Sequence, residues 1–501
     1  MLCSTDSRVD ESTAKLVLLY AGHEIPFDAN TGVQIVSRRG SNKMLSYKGA
    51  RVPIYGDSVT FREEDAAVLV DEQSNQPSMH RHQSRNTVVT RIGYDLFSEV
   101  HALLTAGQPA DNASIPALDL HIAILRDLIV ESGVSLVEIP PIPDGYKFIA
   151  CLTHDVDHPC VRSHGLDHTV VGFLYRATLA SLGNFFRGRI SIQSLLGNWA
   201  AALKLPFVYM GLAKDFWRGF DDRYLELEKG LRSTFFVIPF KNDAGKTSNG
   251  PAPQFRAVRY GAREIADTIC KIQAAGGEVG LHGIDAWHDR SKGREELEEI
   301  RLLTGVSETG VRMHWLYSDQ QSPVALEQAG ADYDSTIGYN ATIGYRAGTS
   351  QAYKPFGTTR LLELPLHIMD TALFFPAYLD LSPRDARLPV SSIVDNAVRF
   401  GGCVTVNWHD RSVAPERCWG EFYVDLVDEL KRKGAWFATA AETVAWFRKR
   451  RSATFGNVGC EPEESVVEAI VDLAEDLPGL QLLVHKPQAA SQFAAADAVA
   501  S

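Results

Sequence analysis

From residue 146 onward, short apolar runs alternate with longer stretches of helical character. The runs at 148–152, 234–238, 278–281, 311–313, 361–364, 404–407 and 436–438 read as strands. Between them, residues 262–275 (closed by Gly276-Gly277) and 295–303 carry the three-to-four spacing of amphipathic helices. Alternation of this kind predicts a parallel sheet covered by helices, and seven or so repeats over this length predict a closed or nearly closed barrel. Upstream, β-like runs at 15–20 and 32–36 and an amphipathic helix over 118–132, stopped by Gly133, predict a smaller α/β unit. The stiff run Ile139-Pro140-Pro141-Ile142-Pro143 separates the two. The reading is therefore an α/β N-terminal domain over 1–145, a barrel over 146–450, and an acidic, then alanine-rich appendage over 451–501.

Composition changes this picture little. At 501 residues, with 45% hydrophobic and 22% charged residues, the chain can bury a sizeable core. The net charge of −12 argues against a nucleic-acid partner, which would need a basic surface. The seven cysteines are scattered without a CxxC pair, as expected of reduced thiols. No basic segment followed by an apolar one opens the chain, and no run of eighteen apolar residues occurs, so the expected location is cytoplasmic.

The chemistry sits where the strands end. In a parallel barrel those ends converge on one face. The first strand runs into Thr153-His154-Asp155-Val156-Asp157-His158, and the alternation puts both aspartates on one side. Two carboxylates that close repel unless a cation or a shared proton separates them, and a metal ion is the economical answer. Later strands run into His282-Gly283-Ile284-Asp285-Ala286-Trp287-His288, Arg312-Met313-His314-Trp315, His367-Ile368-Met369-Asp370 and Asn407-Trp408-His409-Asp410-Arg411. Single residues in such places are often caps or turn formers, the expectation for His154, His158 and His367.

In order along the chain, the run 153–157, the strand around Ser233-Thr234-Phe235-Phe236-Val237, the loop at His282, the Arg312 element and the strand ending in His409 resemble the five motifs of the polysaccharide deacetylase family (the NodB-homology domain). The resemblance covers roughly 146–450, and the Asp-Val-Asp first motif resembles a bacterial subgroup. It implies a distorted (β/α)7 barrel and a metal-dependent hydrolase that removes an N-acetyl group from an amino sugar of a glycan or its precursor. Carried across, Asp155 resembles the general base, Asp157 and His282 the metal ligands, Arg312 the arginine that holds the base, and His409 the general acid. The family's two ligand histidines are usually four residues apart, whereas His282 and His288 are six apart. His288 is the first choice for the third ligand and His314 the second.

One divalent ion, zinc or a first-row neighbour, would thus be held by a carboxylate and two imidazoles. Asp370, at another strand end, could orient His409 or serve as a cap. Trp287, Trp315 and Trp408 flank the ligating residues, where one of them could stack on a sugar ring. Competing readings are an amidohydrolase of a small non-sugar amide, a retaining glycosidase, and a sugar-binding pseudoenzyme. The segment 169–220 stands apart. It is rich in large apolar residues and carries Arg176, Arg187, Arg189, Lys204, Lys214 and Arg218 against only Asp215. It reads as two or more helices broken by turns, either packed on the barrel or leaning on an anionic membrane surface at the inner face.

Overall fold

The computed structural model describes residues 35–38, 43–61, 69–84, 87–165, 167–414, 416–455, 459–460, 465–466, 469–470 and 476–487. The run at 15–20 lies outside them. The chain forms two compact units that interleave in sequence: one of residues 1–103, 115–140 and 480–501, the other of 104–114 and 141–479. The sequence reading, which cut the chain once near 145 and once near 450, could not see such long-range pairing.

In the first unit, Lys43–Tyr47 pairs antiparallel with Ala50–Ile54 and with Leu69–Asp71. Lys48 and Gly49, both at positive φ, make the two-residue turn whose twist suits a hairpin. A second hairpin joins Met79–Ser84 to Thr87–Ile92. The helix Ala117–Glu131 buries Leu120, Ile124 and Leu128. Leu483–His485 pairs with Leu136–Glu138, so part of the expected appendage supplies a strand here. That strand covers an edge whose N–H and C=O groups would otherwise be left unpaired.

The second unit is built on one curled parallel sheet. Its strands are β1 (Phe148–Val156), β2 (Ser233–Val237), β3 (Glu278–Gly283), β4 (Val311–Met313), β5 (Tyr333–Asp334), β6 (Leu362–Glu363), β7 (Ile368–Met369), β8 (Cys403–Asn407) and β9 (Ala435–Phe437). The order is β6-β5-β4-β3-β2-β1-β8-β7, with β9 also on β1. β8 holds residues 149–153 of β1, while β9 and β2 take residues 148–150 and 152–156 in turn. The sheet's two ends, β6 and β7, lie on one extended segment around Pro365. Leu364 N–H and Leu366 N–H reach back to the β5 side, and His367 N–H reaches Thr405 of β8. A single stretch of chain therefore links the two ends of the curled sheet. The sequence pattern missed β5 and β7, because two-residue strands are too short to show a period.

All nine residues of β1 are buried, and alternation sorts them. Phe148, Ala150, Leu152 and Val156 enter the apolar layer between sheet and helices. His154 goes with them: its ring packs on Tyr224 and Phe235, Nδ1–H donates to the Trp408 carbonyl at 2.8 Å, and Nε2 lies 2.9 Å from Glu228. Thr153 and Asp155 point the other way, into the curl.

Between β1 and β2 the chain forms α1 (His168–Tyr175), a π turn at Arg176–Ala180, α2 (Ser181–Phe186) and α3 (Ile192–Tyr209). Val170, Phe173, Ala177, Ala201, Leu205, Val208 and Trp217 form their shared core. Their outer side is unusually apolar, with Leu179, Phe186 and Leu203 exposed by 67, 78 and 75%, and Leu212, just past α3, by 73%. Of the basic residues, Arg187, Lys204, Lys214 and Arg218 are exposed, while Arg189 is held by Asp380 at 3.0 Å.

Candidate active site

Strands β1, β3, β4 and β8 deliver their ends to a cavity of about 450 Å³, lined among others by Asp155, Asp157, His282, His314 and His409. Asp155 is held from two sides. Arg312 Nη1 donates to Oδ1 at 3.1 Å, and Asn407 Nδ2 donates to Oδ2 at 2.7 Å. Burial pushes the Asp155 carboxyl up, but His282, Arg312 and His409 outweigh it and hold it below the usual carboxylate range. Arg312 is itself fully buried and held by several partners. It donates to Thr153 Oγ1 at 2.6 Å, the Ser335 carbonyl at 3.0 Å and Ser335 Oγ at 2.8 Å, with its plane over the Phe236 ring. A guanidinium fixed by four acceptors presents a rigid cation to the carboxylate.

Asp157, His282 and His314 offer ligand atoms that lie within 4.8 Å of one another. Asp157 Oδ1 is 3.4 Å from His282 Nε2 and 3.6 Å from His314 Nε2. Those spacings are close to the roughly 3.3 Å expected between neighbouring ligands of a tetrahedral ion with bonds of about 2.0–2.1 Å. Asp157 Oδ1 is buried without a hydrogen-bond partner, an orphan that a bound cation would satisfy. His282 donates Nδ1–H to the Arg312 carbonyl at 2.8 Å, which leaves Nε2 bare toward the cluster. Burial pushes His314 down to about 3, keeping the imidazole neutral as a ligand must be. Burial opposes ionisation of Asp157, yet His314, His282 and His409 hold it well below its ordinary value. The donor set fits a divalent ion.

His288 is not part of this cluster. It sits three residues from Asp285 and contacts that carboxylate at 3.1 Å, in the turn before the helix α4 (Arg290–Thr304), which Asp289 caps. Asp285 is itself bound by Lys292 at 2.5 Å and by the Lys246 N–H at 2.7 Å. Of the two expected candidates, the structure brings His314 and not His288 to Asp157 and His282. His314 arrives from the adjacent strand end, where it is nearer in space than a histidine six residues along a turning loop.

His409 faces the same cluster from β8. Its Nδ1–H donates to Asp370 Oδ1 at 2.6 Å, and its N–H donates to Asp370 Oδ2 at 2.7 Å. Its Nε2 is left 3.8 Å from Asp157 Oδ2. Burial would lower its pKa, but Asp370 first, then Asp157 and Asp155, raise it to about 9. Asp370 thus grips His409 at two points.

The three tryptophans separate. Trp408 is wholly buried, stacked on Phe422, and Trp287 is 4% exposed; both belong to the apolar core, which leaves Trp315 as the one of the three that could meet a sugar. Trp315 does line the cavity. It and Leu316 adopt left-handed φ of 65° and 54°, an expensive backbone for bulky residues. The turn is pinned by Arg256 Nη2, which donates to the His314 carbonyl at 2.8 Å, and by Asn340 Nδ2 on the Trp315 carbonyl at 3.1 Å. His158 also lines the cavity, with its N–H on Asp410 Oδ2 at 2.7 Å. His367 is a core residue bonded to Thr349 and Thr405. Sequence reasoning missed the roles of Asn407, Ser335 and Arg256. A signal existed for Asn407, an amide closing the otherwise apolar run Val404-Thr405-Val406.

No protein-family model and no curated protein matches the sequence. Among solved structures, the chain is similar to a Mycobacterium smegmatis protein described as a polysaccharide deacetylase, at 19% identity and TM-score 0.38, over 63% of this chain and 96% of that one. It is similar to Puue allantoinase at 14% and 0.38, over 62% and 92%. A Pseudomonas aeruginosa PAO1 protein, also described as a polysaccharide deacetylase, is similar at 13% and 0.39, over 62% and 95%. Likeness at that level assigns neither family nor activity.

Proposed function

We propose that this protein is a metal-dependent amide hydrolase that removes an N-acetyl group from an amino sugar in a glycan or glycan precursor. The observation that carries this reading is the convergence, in one cavity, of an ionised carboxylate held by Arg312 and Asn407, a three-ligand cluster with an orphaned oxygen, and a protonated histidine charged by Asp370. Asp157, His282 and His314 would hold the ion, zinc or a first-row neighbour, which supplies Lewis acidity to polarise an amide carbonyl and acidify a water molecule.

The chain's own residues do the proton work. Asp155, kept ionised and aimed by its two donors, accepts the proton of the attacking water. His409, protonated near neutral pH, delivers a proton to the departing nitrogen, without which an amine is a poor leaving group. Asp370 holds that ring in the tautomer that leaves Nε2 toward the cavity. Trp315 supplies an aromatic face suited to a sugar ring. The glycosidase reading uses neither the ligand cluster nor His409. The test is metal analysis of the purified protein together with acetate release from a panel of N-acetylated sugars and oligosaccharides. Metal-free protein with full activity, or no acetate from any member, overturns the reading.

A peripheral place at the cytoplasmic face of a membrane is part of the same proposal. None of the described helices is long and apolar enough to cross a membrane. Support comes from the exposed apolar side of α1–α3 beside Arg187, Lys204, Lys214 and Arg218, the pairing of properties that interfacial helices use on anionic lipid. Co-sedimentation with anionic vesicles, weakened by salt and by Leu203→Glu with Phe186→Glu, is expected. Indifference to anionic vesicles at low salt removes this part.

A further inference from the structure

We infer that Arg176, Arg411 and Arg417 form a subsite in the same cavity for a phosphate group carried by the substrate. All three line the cavity beside the ligand cluster. Arg417 is 7% exposed, and both its Nε and Nη1 are buried without a hydrogen-bond partner. Arg411 Nη1 and Arg176 Nε are likewise buried and unpartnered. None of the three has a carboxylate within ion-pair distance, whereas the buried Arg312 donates to four acceptors, Asp155 among them. What they touch is aromatic: Arg417 lies 4.7 Å from the Trp419 ring centre, and Arg411 lies 5.3 Å from that of Trp217.

Three guanidinium groups so arranged repel one another, and burial makes this worse. Burial and the neighbouring Arg411 together pull Arg176 down to about 10, and Arg417 falls further, with Arg411 and Arg176 both contributing. The anions that act on Arg411, namely Asp410, Glu416, Asp157 and Asp370, all lie beyond ion-pair distance of it. Glu416 spends one oxygen on Trp217 Nε1 at 2.8 Å, and its other oxygen is unpartnered. Asp410 spends its two oxygens on the Arg411 and His158 N–H groups at 2.8 and 2.7 Å. Three guanidinium groups without an ion-pair partner therefore line the cavity. A phosphate monoester brings about −1.5 to −2 charge and several acceptor oxygens, and guanidinium forks match phosphate geometry in pairs. A carboxylate would bring only one charge. Arg176 also opens the π turn that continues α1, so the arginine wall and the apolar outer side share one helical run. The phosphate could thus belong to a soluble sugar phosphate or to one esterified to a prenol in a membrane.

This inference deepens the deacetylase reading, but its test does not depend on turnover. Calorimetry compares N-acetylglucosamine, N-acetylglucosamine 1-phosphate, inorganic phosphate and an N-acetylated uronic acid. The sugar phosphate should bind at least ten times tighter than the neutral sugar, with an affinity that falls with salt. Arg417→Gln and Arg411→Gln should each erase most of that preference. Arg176→Gln, at a partly exposed position, gives the same readout if either of those fails to fold. Equal affinity for charged and neutral sugar, preference for the uronic acid, or phosphate binding unchanged in the variants overturns the subsite. Vesicles carrying the prenyl-linked sugar phosphate identify the source: tighter binding there than in solution supports a membrane substrate, and equal binding supports a soluble one. If the variants lose phosphate but wild-type protein never releases acetate, the subsite stands and the deacetylase reading falls. If acetate is released from neutral sugars and phosphate has no effect, the reverse holds.

Discussion

The two sides of the cavity handle buried charge in opposite ways. At the strand ends, Arg312 and Asp155 are equally buried, yet Arg312 has its acceptors and Asp155 has two donors. In the loop that follows β8, Arg411 and Arg417 are left with unpartnered nitrogens. A buried ion that has lost its partners costs far more than one that has them. Saturated charge is finished architecture, with every group held for a fixed task. Unsaturated charge is a vacancy in the hydrogen-bond inventory that something from outside can fill. The ligand cluster combines both, because its imidazoles are fixed from behind while Asp157 Oδ1 has no donor in front.

The most severe test of this contrast removes the cluster. His314→Ala and Asp157→Ala should lose the bound divalent ion stoichiometrically, measured by elemental analysis, and drop acetate release to background. His288→Ala should keep the metal. If His288→Ala loses metal and His314→Ala keeps it, the cluster is misassigned. Next in size, Asp155→Asn should retain metal but lose at least about a hundredfold in rate, the lower range for general acid–base catalysis.

Stability separates the two sides more directly. Arg312→Met strands Asp155 in the interior and should cost about 3–5 kcal/mol in urea unfolding, as breaking a buried ion pair does. Arg417→Met removes a charge without a partner and should leave stability unchanged or raise it. Matching losses in the two variants would end the contrast. The smallest effect concerns pH. His409 has a raised pKa, so its proton is present below about pH 9 and is lost as pH rises through that value. Asp370→Asn removes the largest raising charge, and the alkaline limb of kcat/KM should move toward the ordinary imidazole value of about 6.5. An unmoved limb would show that the limb belongs to another group.

Much of the site was legible in the sequence because strand ends announce themselves. Asp155, Asp157, His282, Arg312 and His409 all directly follow or close an apolar run, and parallel strands bring such ends together. The choice between His288 and His314 was not legible from spacing alone, since a ligand on the neighbouring strand is remote in sequence and adjacent in space. The tryptophans misled for a related reason. Trp408 follows Asn407, so alternation turns it into the core, whereas Trp315 is turned toward the cavity by a left-handed backbone that no pattern of apolar residues encodes. The arginine cluster was hidden too, because Arg176 is remote in sequence from Arg411 and Arg417 and none stands in a basic run.

The divided edge of β1 has a consequence for the order of events during synthesis. Residues 148–150 of this strand wait for β9, and residues 149–153 wait for β8 on the opposite edge. Both partners are made near the end of the chain, long after β1 has left the ribosome. Until residue 437 emerges, Phe148, Ile149 and Ala150, all fully buried in the finished molecule, have an unpaired edge and no cover. Pairings this distant form slowly, and exposed strand edges of apolar sequence invite association with other chains. A nascent chain arrested before residue 403 should therefore hold β1 to β5 in a soft, chaperone-dependent state. Release past residue 437 should bring protease resistance to the whole sheet in one late step.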